Sequence, residues 1–190
     1  MDLILVADCL ESSKPLLRVV SKSGYRILKL VGSNDEASFY VKSLCPDAII
    51  IVSDEIDRSV LREMRSVSRT RPTPMLVFTR DSQADSIGSA VKAGATVYVV
   101  DCNDPGRLGS LLEVAKARFD EQQRLKHELW QTKNALQERK SVERAKGIIM
   151  QSKSLSEDQA YKAMRKLAMN HNKRMGEIAE QIISASEILV

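Results

Sequence analysis

Histidine and cysteine are nearly absent from this chain, two and three residues among 190, and that scarcity removes whole classes of function. The three cysteines, Cys9, Cys45 and Cys102, are odd in number, widely separated and set in apolar strand-like runs, so neither a disulfide framework nor a zinc site is expected. Buried free thiols in a reducing cytosol are the simpler expectation. His127 and His171 both sit in polar helical contexts, as surface histidines do. The chain also lacks a Gly-rich phosphate loop, an HExxH motif and any candidate catalytic triad, so an enzyme is not expected and no cofactor or metal is called for.

Long apolar runs are missing as well. No stretch approaches the ~20 apolar residues of a membrane span, and the run at residues 3–7 is short and has no basic region before it, unlike a signal peptide. A soluble, cytoplasmic protein is expected. Proline and glycine are both absent between residues 110 and 146, which leaves nothing there to stop a helix.

What the chain does contain is divided unevenly. The net charge is only +4. Up to Phe119 there are sixteen Lys and Arg against fifteen Asp and Glu, whereas from Arg139 to Arg174 ten cations face three acids, Glu143, Glu157 and Asp158. A near-neutral sensing or docking domain followed by a polyanion-binding segment fits that asymmetry.

Four short runs, residues 3–7, Ala48–Val52, Met75–Thr79 and Val97–Val100, are almost continuously apolar, as strands covered on both faces must be. Arg26–Val31 makes a weaker fifth strand. Helical spacing lies between them, as in Leu16, Leu17 and Val20 before Gly24, or Ile87 and Val91 before Gly94. Alternation at this interval predicts right-handed βαβ units and an α/β domain with a parallel, doubly wound sheet over residues 1–118.

The strand signal then stops. Leu108, Leu111, Ala115, Leu125, Leu129 and Leu136 follow three-and-four spacing, with Gln122, Thr132 and Arg139 at the seam positions between. A helix of about 40 residues is too long to pack only on a small sheet, so residues 119–139 are expected to pair with a second copy as a partly polar coiled coil centred on Leu125, Leu129 and Leu136. Past Gln151, Ser156 with Gln159 makes a capping box, Ala160, Met164, Leu167 and Ala168 form an apolar face, Asn170-His171-Asn172 interrupts it, and Met175, Ile178, Ala179, Ile182 and Ile183 form the last face. Residues 140–190 therefore read as a small all-α domain of three helices that must pack on one another.

The α/β part resembles a response-regulator receiver, a flavodoxin-like phosphoacceptor domain, through "LILVADC", "CPDAIIIVSDEID", "TPMLVFT" and "KAGATVYVVD". A working receiver holds Mg²⁺ with acids after its first strand, accepts phosphate on an Asp ending the third, and uses a hydroxyl after the fourth and a Lys after the fifth. In this chain Asp8 matches the first acid, but Cys9 replaces the second, Val52 stands at the phosphoacceptor position with Asp54 two residues beyond, and Thr79 keeps the hydroxyl. Asp101 occupies the place of the Lys, where it would repel a phosphoryl group. The resemblance is thus to a pseudo-receiver, which implies control by a bound protein and not by phosphorylation.

The segment "ERAKGIIMQSKSLSEDQAYKAMRKLAMNHNKRMGEIAEQII" closely resembles the ANTAR domain of transcription antiterminators, and with the degenerate receiver and long helix the whole chain is similar to the AmiR/NasT family. The resemblance implies an RNA-binding antiterminator of a nitrate and nitrite assimilation operon that binds leader-mRNA hairpins and prevents a terminator from forming. It also implies a nitrate-sensing partner of the NasS type and a homodimer when active. On this view Tyr161, Arg165 and Asn172 would stack on or read bases, while Arg144, Lys146, Lys166, Lys173 and Arg174 would serve the RNA backbone. The positive side chains are expected to gather on one solvent face. A DNA-binding response regulator is the alternative, since a helix–turn–helix over residues 161–183 would place Lys173 and Arg174 near a recognition helix. The last helix argues against it, with no Lys or Arg and three Glu. A protein-only adaptor would leave the cations unexplained.

Overall fold

The computed structural model describes residues 1–7, 14, 16–20, 23–32, 36–101 and 105–188. Five strands, β1 (Asp2–Ala7), β2 (Arg26–Val31), β3 (Ala48–Val52), β4 (Met75–Thr79) and β5 (Val97–Val100), form one parallel sheet in the order β2-β1-β3-β4-β5. The order reverses at β1, the topology of a doubly wound fold, and all five expected strands are present.

Period-two alternation divides the sheet's side chains between two cores. Ile4, Ile49, Ile51, Met75 and Val77 point to one face, where they meet helices α1 (Ala37–Leu44), α2 (Arg58–Thr70) and α3 (Ala84–Ala93) through Val41, Met64, Val67 and Ala90. Leu3, Leu5, Ile50, Leu76 and Phe78 point to the other, packing on Leu16 and Val20 and on the start of helix α4 (Leu108–Lys153) at Leu108, Leu112 and Ala115. β2 lies at the sheet's edge and is the least buried of the strands, which is why its apolar signal is weakest.

The expectation of buried thiols fails for Cys45. It is exposed, because it terminates α1 in a left-handed conformation (φ 50°) and is not part of a strand; the Arg71 guanidinium donates to its Sγ at 2.8 Å. Cys9 and Cys102 lie outside the described residues.

Two compact units divide the chain, residues 1–123 and 124–190. Helix α4 contributes to both, and every residue from 124 to 140 is exposed. In the second unit, α5 (Glu157–His171) and α6 (Met175–Ile188) follow. Ser154 turns the chain at φ 50°, and Ser156 and Gln159 form the reciprocal capping box that starts α5. Asn172 ends α5 in the left-handed region, where its N–H bonds back to Ala168 and Met169. Ala145, Ile149, Ala160, Met164 and Ala179 make the core, with Val142, Met150, Leu155, Met175, Ile182 and Ile183 packed around it.

Gly94 ends α3 at φ +115°, a conformation open to glycine, and a Cβ there would strike Ser68 Oγ and Met75 Cε. Gly94→Ala is expected to lower the unfolding free energy by about 2 kcal/mol or more, from backbone strain and overlap together. Urea denaturation followed by circular dichroism measures it.

Candidate nucleic-acid interface

Helix α5 positions most of the expected contact residues. Ala160, Met164 and Ala168 recur every fourth residue and face the core, so the opposite side of the helix faces solvent. Arg165 and Lys166 lie there, exposed and without a side-chain hydrogen bond or ion pair among the described residues. Tyr161 stands one turn before Arg165 and is 44% exposed. Lys173 and Arg174 occupy the turn between α5 and α6, both exposed and with side chains unpaired among the described residues, while the Arg174 backbone N–H donates to Glu177 at 2.8 Å. Asn172 is exposed in the same turn and serves as the left-handed cap of α5, a conformation Asn tolerates better than most residues.

Two expected cations are placed differently. Lys146 was expected on the solvent face, yet its side chain is only 9% exposed and its Nζ lies 2.8 Å from Glu143 and 2.7 Å from Glu157. The helical periodicity that sets Ala145 and Ile149 in the core draws the intervening Lys146 to its border, where the only way to keep an ammonium dry is to pair it. Glu143 first, and then Glu157, raise the Lys146 pKa above its ordinary value, and the bond from Lys146 lowers that of Glu157. Lys146 thus ties the last turns of α4 to the first turn of α5. Arg144 remains exposed but is engaged by Glu187 of α6 at 2.9 Å.

Some of the surface escaped the sequence reading. Met169, 72% exposed, extends the Tyr161–Arg165 row by one more turn, and Lys162 pairs with Asp158 at the start of α5. The spacing of 161, 165 and 169 was available; the absence of a covering element was not. Glu138 of α4 accepts the Gly176 N–H at 3.2 Å, and a Cβ at position 176 would come within 2.6 Å of Glu138 Cγ, so a larger residue there would displace the side chain of a residue 38 positions away. A Cβ at Gly147 would meet nothing within 4 Å, so that glycine is tolerated in the helix without serving a close approach.

At the sheet's C-terminal edge, β3 ends on Val52, half-buried, and Asp54 lies beyond it in an exposed turn, 3.6 Å from Arg80. The Thr79 hydroxyl is buried and donates to the Asp54 carbonyl at 3.0 Å while accepting the Asp81 N–H at 3.1 Å. Tyr98 donates its OH to the Asp81 carbonyl at 2.8 Å; burial, with Asp81 adding to it, raises the phenol's pKa. The adjoining cleft, about 380 Å³, has Asp54, Glu55, Asp57 and Asp81 in its walls and, among the described residues, one cation, Arg80. Asp101, exposed and in a left-handed conformation (φ 46°), adds a further acid after β5. Asp8 is outside the described residues. Among the described residues no cluster of metal-ligating side chains is present.

Leu125, Leu129 and Leu136 are each more than half exposed on α4, as is Trp130, whose indole stacks on the His127 ring at 6.2 Å between centroids.

The family model of the ANTAR domain matches residues 130–183, the stretch holding the core and cations just described. For the first unit, the signal receiver domain of a modulated diguanylate cyclase from Desulfovibrio desulfuricans superimposes with a TM-score of 0.55 at 15% identity, over 64% of this chain and 97% of that one. The protein carries an ANTAR domain after a receiver-like one. The transcriptional regulatory protein PdtaR of Mycobacterium tuberculosis is 29% identical over 168 residues, 88% of this chain and 82% of its own. The nitrate regulatory protein of Klebsiella oxytoca is 38% identical over 78 residues, which span 41% of this chain and 20% of that protein. The sequence relatives are thus regulators, and no helix among the described residues is long and apolar enough to cross a membrane.

Because Glu157 has a lowered pKa, its bond to Lys146 contributes stability above the ordinary glutamate value of 4.5 and loses it as pH falls below; the raised Lys146 pKa extends the upper limit beyond 10.5. Thermal melts of the full chain should therefore show the second unit losing stability below about pH 4.5, with Glu157→Gln less stable at neutral pH and less pH-dependent in that acid window. An unchanged neutral melt would show that the pair contributes nothing.

Proposed function

We propose that the ANTAR domain reads RNA hairpins and that the chain is a transcription antiterminator, acting on the leader of a nitrate and nitrite assimilation operon. The observation that carries this reading is the set of four exposed cations Arg165, Lys166, Lys173 and Arg174, unpaired among the described residues, beside a half-exposed Tyr161, on a domain that matches the ANTAR model. Unpaired cations attract phosphates, and an aromatic ring with Asn172 nearby in sequence suits the splayed bases of a loop. Arg144 can exchange Glu187 for a phosphate at its exposed position. Lys146 serves by holding α4 to α5. Against duplex DNA stands α6, which carries Glu177, Glu180 and Glu187 and no Lys or Arg of its own to meet a phosphate in the major groove.

Functionally we divide the chain into a regulatory pseudo-receiver (residues 1–118), a pairing helix (119–139) and the RNA-binding domain (140–190). The acid-lined edge of the sheet disfavours a phosphoryl group, which supports control by a nitrate-sensing partner protein. The nitrate regulatory protein among the relatives supports the same pathway. Release from the partner would allow two chains to pair through Leu125, Leu129 and Leu136, and two ANTAR domains would then engage two hairpins with the advantage of effective concentration.

Titration of the full chain with a leader hairpin and with duplex DNA of matching sequence, across a salt series, tests the reading. Arg165→Glu with Lys166→Glu is expected to weaken hairpin binding by about tenfold or more and to reduce the slope of log K against log salt by roughly 0.7 to 0.9 per lost contact. Preference for the duplex would favour a DNA regulator instead. Leu129→Asp should convert a dimer to a monomer by analytical ultracentrifugation, and should cost about a hundredfold in affinity for a two-hairpin leader while leaving single-hairpin affinity intact.

A further inference from the structure

Helix α2 of the receiver-like unit holds Arg58, Arg62, Arg65 and Arg69, all exposed. Their spacing of four, three and four residues places them within one narrow arc of the helix, opposite the face that buries Met64 and Val67. At 1.5 Å per residue the row is about 16 Å long. None of the four guanidinium groups takes part in an ion pair among the described residues; Arg62 only contributes to the field at Asp57, the N-cap of the helix. The one acid of α2, Glu63, is half-buried and accepts the Ser38 N–H at 2.9 Å, so it does not neutralise the row. Four like charges held in line oppose one another, and nothing in the unit's own packing requires them.

We propose that this arginine row is a second RNA-binding surface, one that follows the sugar–phosphate backbone without reading bases. The inference rests on the RNA-binding reading of the ANTAR domain and adds a contact in the other unit. The chemistry of the row selects the partner. All four cations are arginine, whose planar fork matches phosphate oxygens bidentately and is less strongly hydrated than an ammonium. The exposed side of α2 presents no large apolar side chain, whereas a protein interface needs an apolar or aromatic centre. A charged row without such a centre fits a backbone of regularly spaced anions.

The test uses the full chain and two RNAs, a leader hairpin alone and the same hairpin with a single-stranded extension, in titrations across a salt series. Wild type is compared with a row variant carrying Arg58→Gln, Arg62→Gln, Arg65→Gln and Arg69→Gln, and with the Arg165→Glu, Lys166→Glu variant. Because the four side chains are exposed, the row variant should keep the wild-type circular dichroism spectrum and melt. It is expected to bind the extended RNA more weakly, with a log K against log salt slope smaller by about 0.7 per lost phosphate contact, roughly 2 to 3 in total. A second row variant with Lys at all four positions should recover most of that slope. A row variant that binds both RNAs as the wild type does overturns the inference and leaves the ANTAR reading standing; if it then fails to retain an acidic protein that the wild type holds, the row is a protein-docking surface. Loss of binding in the row variant with none in the ANTAR variant sinks the ANTAR reading and keeps the row. No binding of either RNA by wild type removes both.

Discussion

Close packing at three alanines is the constraint on which the second unit depends. Ala145, Ala160 and Ala179 have no accessible surface, and each comes from a different helix. Helices of 15 and 14 residues, the lengths of α5 and α6, are marginal alone, so their stripes are stable only when buried together. Small side chains let the three axes approach closely, and that approach determines everything exposed around them. It brings Lys146 within reach of Glu157, seats Gly176 against Glu138, and leaves Arg165 and Lys166 on the outward side of α5. A larger residue at any of the three alanines would separate the helices and disperse the surface they carry.

The two units treat charge in opposite ways. In the ANTAR domain the inward-leaning Lys146 is neutralised by Glu143 and Glu157, whereas the exposed Arg165, Lys166, Lys173 and Arg174 have no ion pair among the described residues. At the sheet edge of the receiver-like unit Asp54, Glu55, Asp57 and Asp81 line one cleft with Arg80, so the charge there is mainly negative among the described residues. The hydroxyl of Thr79 is already committed to two backbone groups.

Much of the fold was legible because it rests on local periodicity. Near-continuous apolar runs located β1, β3, β4 and β5; Ser156 with Gln159 located the start of α5; and Asn172 its end. β2 was weaker because an edge strand with exposed positions dilutes the apolar signal. The destination of Lys146 was not legible, since its partner Glu157 is 11 residues away across a turn. The exposure of Cys45 was hidden for a related reason: the left-handed residue ending α1 sits three positions before a buried strand and shares its apolar neighbourhood in the sequence.

By itself the sequence determined the elements, their order and the total charge of each segment, because 2.0- and 3.6-residue periods, caps and composition are properties of neighbouring residues. Only the tertiary structure decided which charges remain available. Whether a lysine or arginine is free or paired depends on carboxylates brought near by packing, and packing joins residues such as Arg144 and Glu187 that are 43 positions apart.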